Sequence, residues 1–192
     1  MIKFEIGDGI MEKKFIKEVI EWVKTIGISL IISICISTCI STIIKPTVVS
    51  GQSMYPTLKD KDYLIINKLA YSNKIPNRGD IIVFKTNLID DQTMSKKHLV
   101  KRVIALPGEH IVIENDKVYI NGNILEEDYL QDIHTYGDID MIVQENHVFT
   151  MGDNRERSDD SRDSCIGTIS LDNVVGEVTL RAFPFNNIGI VK

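Results

Sequence analysis

Residues 25–44 read TIGISLIISICISTCISTII, twenty consecutive positions without a charge and most of them apolar. At 1.5 Å per residue a helix of that length covers about 30 Å, the hydrocarbon thickness of a bilayer. Lys24 and Lys45 close the run at either end. A cleaved secretory leader is the competing reading. Against it, the charged stretch ahead of the run is 24 residues long, and no small-residue cleavage pattern follows. The pattern therefore predicts a retained transmembrane anchor over 25–44, a cytoplasmic segment over 1–24 and an extracytoplasmic part over 45–192. The orientation rests on Lys13, Lys14, Lys17 and Lys24 before the span against Lys45 and Lys59 after it. Ser29, Ser33, Ser37 and Ser41 recur every fourth position of the run. Such a stripe either mediates helix–helix contact in lipid or satisfies carbonyls of its own helix.

Beyond the anchor the period changes to two. Alternation such as Lys117-Val118-Tyr119-Ile120-Asn121 is that of a half-buried strand. Strands are predicted over 63–69, 81–85, 98–105, 110–114, 117–121, 147–151 and 174–182. Asn115-Asp116 between two of them suits a tight hairpin turn. Residues 87–96 suggest a short helical turn, and the polar, acidic stretch 123–145 reads as a surface excursion between strands. The predicted fold class is mostly β: an antiparallel β-sheet domain preceded by one N-terminal transmembrane helix.

The 192 residues carry a formal net charge of −5 and a pI near 5.4. No basic field recruits nucleic acid, so nucleic-acid binding is not expected. Cys35 and Cys39 lie in the apolar run and Cys165 stands alone, which offers neither a disulfide framework nor a metal-binding CxxC pair. HExxH, P-loop, GxGxxG and S-x-x-K patterns are missing, and G-Q-S-M-Y at 51–55 fails the GxSxG elbow at its last position. His98, His110, His134 and His147 are scattered, with no ligand spacing and no acid partner evident along the chain.

Three segments remain. In 49–58, VSGQSMYPTL, apolar residues flank a serine beside a glycine; taken alone it is an ordinary turn. In 98–109, HLVKRVIALPGE, a lysine sits inside an apolar strand, and alone it would point to water. Segment 151–162, MGDNRERSDDSR, alone would be a solvated charged loop. It is not a calcium loop, because Arg155 and Arg157 fall where oxygen ligands are needed.

Together and in this order, the segments resemble the type I signal peptidase family in its bacterial form. The resemblance rests on S-G-Q-S-M-Y-P-T-L at 50–58, GDIIVF at 79–84, KRVIALPGE at 101–109 and GDNRERSDDSR at 152–162. It runs from about residue 20 to about 187 and implies a β-sheet domain of the signal-peptidase/LexA-like type. It also implies that Ser53 is the nucleophile and Lys101 the general base. A serine hydroxyl needs a neighbour to take its proton. A lysine can do so only when neutral, so its pKa must fall from about 10.4 to ~8, against about 3 kcal/mol. Relatives of the endoplasmic reticulum carry histidine at the lysine position.

By the same resemblance Ser158 hydrogen-bonds the lysine, while Asp160 with Arg162 and Asp153 with Arg102 form ion pairs that hold the site in place. The Ser53 N–H is the first oxyanion donor. Some members add a serine hydroxyl two residues before the nucleophile, where this chain has Gly51, which leaves the second donor open. Val49, Met54, Leu58 and Val100 match the walls of shallow pockets that admit small residues at the first and third positions before the cut. The implied substrates are exported preproteins carrying signal peptides, bound as an added strand. The implied surroundings are the cell-membrane bilayer and contact with the secretion translocon, with no cofactor and no metal. Two alternatives stand beside this: a self-cleaving LexA-like Ser/Lys protein, which would lack the span, and a catalytically inactive membrane-anchored binding module.

Overall fold

The computed structural model describes residues 5–89, 94–130 and 134–191, with side chains from residue 14 onward. The chain divides into two units, Met1–Thr42 and Ile43–Lys192. The first is a helix, α1 (Glu5–Ile43). Lys14–Ile43 is long and apolar enough to cross a membrane, and none of its apolar window is buried. A helix apolar on all sides is stable where lipid, not water, surrounds it. The helix starts far ahead of residue 25 and ends at Ile43; Ile44, expected within the span, instead opens a strand. Thr38 and Thr42 return their hydroxyls to the carbonyls four residues back, and Ser41 to that of Thr38.

The second unit is built from β1 (Ile44–Val48), β2 (Tyr63–Asn67), β3 (Ile81–Ile89), β4 (Lys96–Ala105), β5 (His110–Glu114), β6 (Lys117–Ile120), β7 (Asn123–Ile124), β8 (Ile139–Ile142), β9 (His147–Met151), β10 (Ile169–Ser170), β11 (Val174–Phe183) and β12 (Gly189–Ile190). The larger sheet runs β1-β2-β11-β3-β4-β9-β10 with β12 on β11, and a smaller one runs β7-β6-β5-β8. All pairs are antiparallel. Asn115 and Asp116 both have positive φ, 48° and 60°, as the tight β5–β6 turn demands.

Two expectations change. Residues 87–89 extend β3 and residue 96 opens β4, because Ile89 pairs with Lys96 in a long hairpin; residues 90–93 of the expected helical turn lie outside the described residues. The acidic stretch 123–145 is not merely a surface excursion. It supplies β7 and β8 to the smaller sheet, pairing Ile124 with Tyr119 and Asp140 with Val112.

The core explains the unbroken apolar run in β3. Ile81 and Val83 face one cluster, with Val49, Met54, Leu58, Leu64, Ile66 and Val178. Ile82 and Phe84 face another, with Val103, Val148 and Ile169. A strand buried on both faces has no polar side to show. A third cluster, including Ile104, Ile111, Phe149 and Met151, joins the two sheets. Gly176 on β11 closes the layer against β2: a Cβ there would overlap the Asn67 carbonyl and stand 2.8 Å from Ile66 Cγ2. Gly176→Ala is therefore expected to destabilise the fold by about 3 kcal/mol, read as a lower midpoint in denaturant unfolding.

Candidate active site

Ser53 lies in the turn that follows β1. Gly51 takes a φ of 100°, open to glycine at little strain, and its N–H is held by Asp60 Oδ1 at 2.9 Å. On either side Val49 and Met54 sink into the core, leaving Ser53 half-buried between them. Lys101 comes from β4 and is only 2% exposed. Its Nζ donates to Ser53 Oγ at 2.7 Å. Burial pushes the amine down to about 8; Asp160 and Asp159 oppose that fall, while Lys97 and Arg162 reinforce it.

The residue after the lysine is anchored as firmly. Arg102 grips Asp153 through Nε at 2.9 Å and Nη2 at 2.7 Å, a two-pronged pair almost free of solvent. Asp153 also accepts from Thr57 Oγ1 at 2.5 Å, which ties the lysine strand to the serine loop. Arg162 grips Asp160 through Nε at 2.8 Å and Nη2 at 2.9 Å. Burial alone would raise the Asp160 carboxyl, but Arg162 and the Gly152 N–H hold it below its ordinary value. Asn154 clasps the serine loop from its N–H to the Ser53 carbonyl at 3.0 Å and from Nδ2 to the Gln52 carbonyl at 3.1 Å. Gly152 is pressed so close that a Cβ would overlap Ser158 Oγ and the Ser53 carbonyl oxygen.

Three expectations change here. Ser158 Oγ is buried against Gly152 and close enough to help hold Asp160 ionised, yet it reaches no partner at hydrogen-bond geometry. Leu58 does not reach the surface: it is fully buried and donates its N–H to the Met54 carbonyl, packing behind the site instead of forming a wall. The histidines are not all without acids, since His110 meets Asp140 at 2.6 Å and His134 meets Asp116 at 2.9 Å. Both of those pairs are exposed on the smaller sheet and its flanks, where folding brings distant segments together.

A cleft of about 470 Å³ opens on the dyad, lined by Thr47–Gly51, Ser53, Met54, Val83 and residues 95–101. Val49, Met54 and Val100 form its apolar walls. Along its two sides run free strand edges. β1 ends the larger sheet, and β4 meets β9 only from Arg102 onward, so among the described residues 96–101 pair with β3 alone. His98 also lines it, its imidazole held below the ordinary value by burial and then by Lys45 and Lys85. The contributions of Thr57, Gly152 and Asn154 lay outside the sequence reading, although all three fall within the boxes quoted above.

A hydroxyl bonded to a buried amine, in a groove with two unpaired strand edges, has the layout of a peptidase site. Comparison with known proteins agrees. The family model described as signal peptidase, peptidase S26, matches residues 19–183. A signal peptidase I P of Bacillus subtilis subsp. natto is 35% identical over 94% of this chain and 98% of its own. A signal peptidase IB of Staphylococcus aureus strain COL is 31% identical over 88% of this chain and 92% of its own. A signal peptidase I crystal structure from Enterococcus faecalis V583 is 34% identical, covers 55% of this chain and 98% of its own, and superposes with a TM-score of 0.46. The chain belongs to the signal peptidase family, peptidase S26, and is accordingly a hydrolase of the serine protease type.

The buried lysine has a consequence for stability. Its folded value, about 8, lies below its unfolded one, so the unfolded chain binds more protons between about pH 8 and 10.5. Stability from this group therefore rises across that window and is lowest below it. Lys101→Met is expected to be more stable than wild type at pH 7, by up to about 3 kcal/mol. The difference should shrink as the pH of denaturant unfolding rises toward 10.

Proposed function

We propose that this chain is a membrane-bound endopeptidase that removes signal peptides from exported preproteins, with Ser53 as nucleophile and Lys101 as general base. The observation that carries the reading is the 2.7 Å approach of Lys101 Nζ to Ser53 Oγ with the lysine almost wholly buried. When the amine is neutral, its lone pair takes the Ser53 proton as Oγ attacks the scissile carbonyl. The Ser53 N–H faces the developing oxyanion. The protonated lysine then returns its proton to the leaving amine, and a water deprotonated by the same nitrogen releases the acyl group.

The cleft supports the substrate assignment. An extended peptide laid between β1 and the open half of β4 finds backbone partners on both sides. Val49, Met54 and Val100 then face its side chains at close range and exclude large ones at the first and third positions before the cut. The helix over Lys14–Ile43 anchors the enzyme, with the N-terminal segment in the cytoplasm and residues 45–192 outside the cell membrane. Tethering raises the effective concentration at a membrane that the substrate's own apolar segment also occupies.

Cleavage of a preprotein bearing an Ala-x-Ala site, followed in detergent, tests this. Wild type is expected to cut after the last Ala, while folded Ser53→Ala and Lys101→Ala lose at least about 10³-fold in kcat/KM. The wild-type kcat/KM should rise with pH through a midpoint near 8, where the lysine becomes neutral, and level off above it. Full activity in Ser53→Ala would contradict the assignment.

A further inference from the structure

The segment between β7 and β8 carries charged and aromatic side chains that turn inward. Arg155, in the short helical turn after Asp153, has a side chain with no exposure at all, and its partner Glu127 is 9% exposed. Arg155 also donates from Nε to the Gly152 carbonyl at 3.1 Å and from Nη1 to Thr135 Oγ1 at 2.6 Å. Tyr129 donates its hydroxyl to Glu127 and lays its ring over the Arg102 guanidinium, 4.0 Å from ring centre to Cζ. Burial, followed by the Glu127 charge, raises the Tyr129 phenol far above its ordinary value, so it stays a donor.

Two lines of contact thus run from this segment to the dyad. One passes from Glu127 through Arg155 to the Gly152 carbonyl, and Gly152 is packed against the Ser53 carbonyl. The other passes from Tyr129 through Arg102 to Asp153 and Thr57. Lys101 stands one residue before β4 begins its pairing with β9, so on the cleft side the next fixed point is Arg102. A bare Arg155 would be a buried, unpaired cation, which costs several kcal/mol. Glu127 removes that penalty, and the Arg155 it pairs with also donates to the Gly152 carbonyl.

We infer that Glu127 and Tyr129 are positioning residues for the reaction, acting on Ser53 through Arg155 and Gly152 and on Lys101 through Arg102. The inference rests on the Ser53–Lys101 reading above. A merely structural pair would change how much enzyme folds. A positioning pair changes the chemistry of the enzyme that does fold, because small displacements of a dyad cost rate steeply.

The full chain, with the same preprotein, tests it through Glu127→Gln, Tyr129→Leu and Tyr129→Phe. Per folded enzyme, Glu127→Gln and Tyr129→Leu are expected to lose about 10- to 100-fold in kcat with KM little changed. The midpoint of the kcat/KM–pH profile should move up from about 8, as looser packing lets water reach the amine. Tyr129→Phe keeps the ring on Arg102 and should recover most of kcat. Wild-type kcat and midpoint per folded molecule in Glu127→Gln and Tyr129→Leu would overturn the inference, whatever happens to thermal stability. If Tyr129→Leu does not fold, Glu127→Gln decides by the same two readouts. Activity in Ser53→Ala or Lys101→Ala would instead contradict the dyad itself, so the two failures are distinguishable.

Discussion

An ammonium group removed from water loses several kcal/mol of hydration, and Lys101 is held in that condition beside Ser53. On the proposed mechanism the desolvation serves the chemistry, since it brings the amine down to about 8, where a useful fraction is neutral. It also creates the structural problem to which the neighbouring residues respond. Asp160 opposes that fall, and Arg162 engages both of its oxygens. Arg102, the lysine's neighbour, is held by both oxygens of Asp153 and by the Gly79 carbonyl. Asp160 and Arg162 are committed to each other, and burial is the largest influence on the amine.

That arrangement makes the serine loop, the lysine strand and the segment 152–162 one mechanical unit. Asn154 holds the Ser53 carbonyl, Thr57 holds Asp153, and Gly152 leaves no room for even a methyl group between the loops. Such contacts fix the 2.7 Å approach without asking the dyad to fix itself. The segment that links β7 to β8 joins this unit through Glu127 and Tyr129.

Much of this was legible in the chain. The apolar run, the two-residue alternation and the Asn115-Asp116 turn mark the helix and the central strands because burial and turn strain act locally. Box order was enough to bring Ser53, Lys101, Arg102, Asp153, Asp160 and Arg162 together on paper, as they are in space. What escaped has a common cause. Glu127, Tyr129 and Thr135 sit in a stretch whose acidity reads as solvent-facing, and a buried polar group is recognisable only once its partner is known. β7 and β10 are too short to show a period. Leu58 shares the apolar character of Val49 and Met54, but a one-dimensional pattern does not say which face of a turn meets the groove. Ser158, similarly, is near the lysine in the chain's box order, yet its hydroxyl is left unpaired.

Burial, the largest influence on Lys101, brings its amine into the accessible pH range, and a direct titration tests this. In the folded enzyme carrying isotope-labelled lysine, the Lys101 side-chain resonance, assigned by its loss in Lys101→Met, would be followed by NMR against pH. The expected midpoint is near 8. A midpoint at or above about 10, the range of an ordinary solvated lysine, would contradict it.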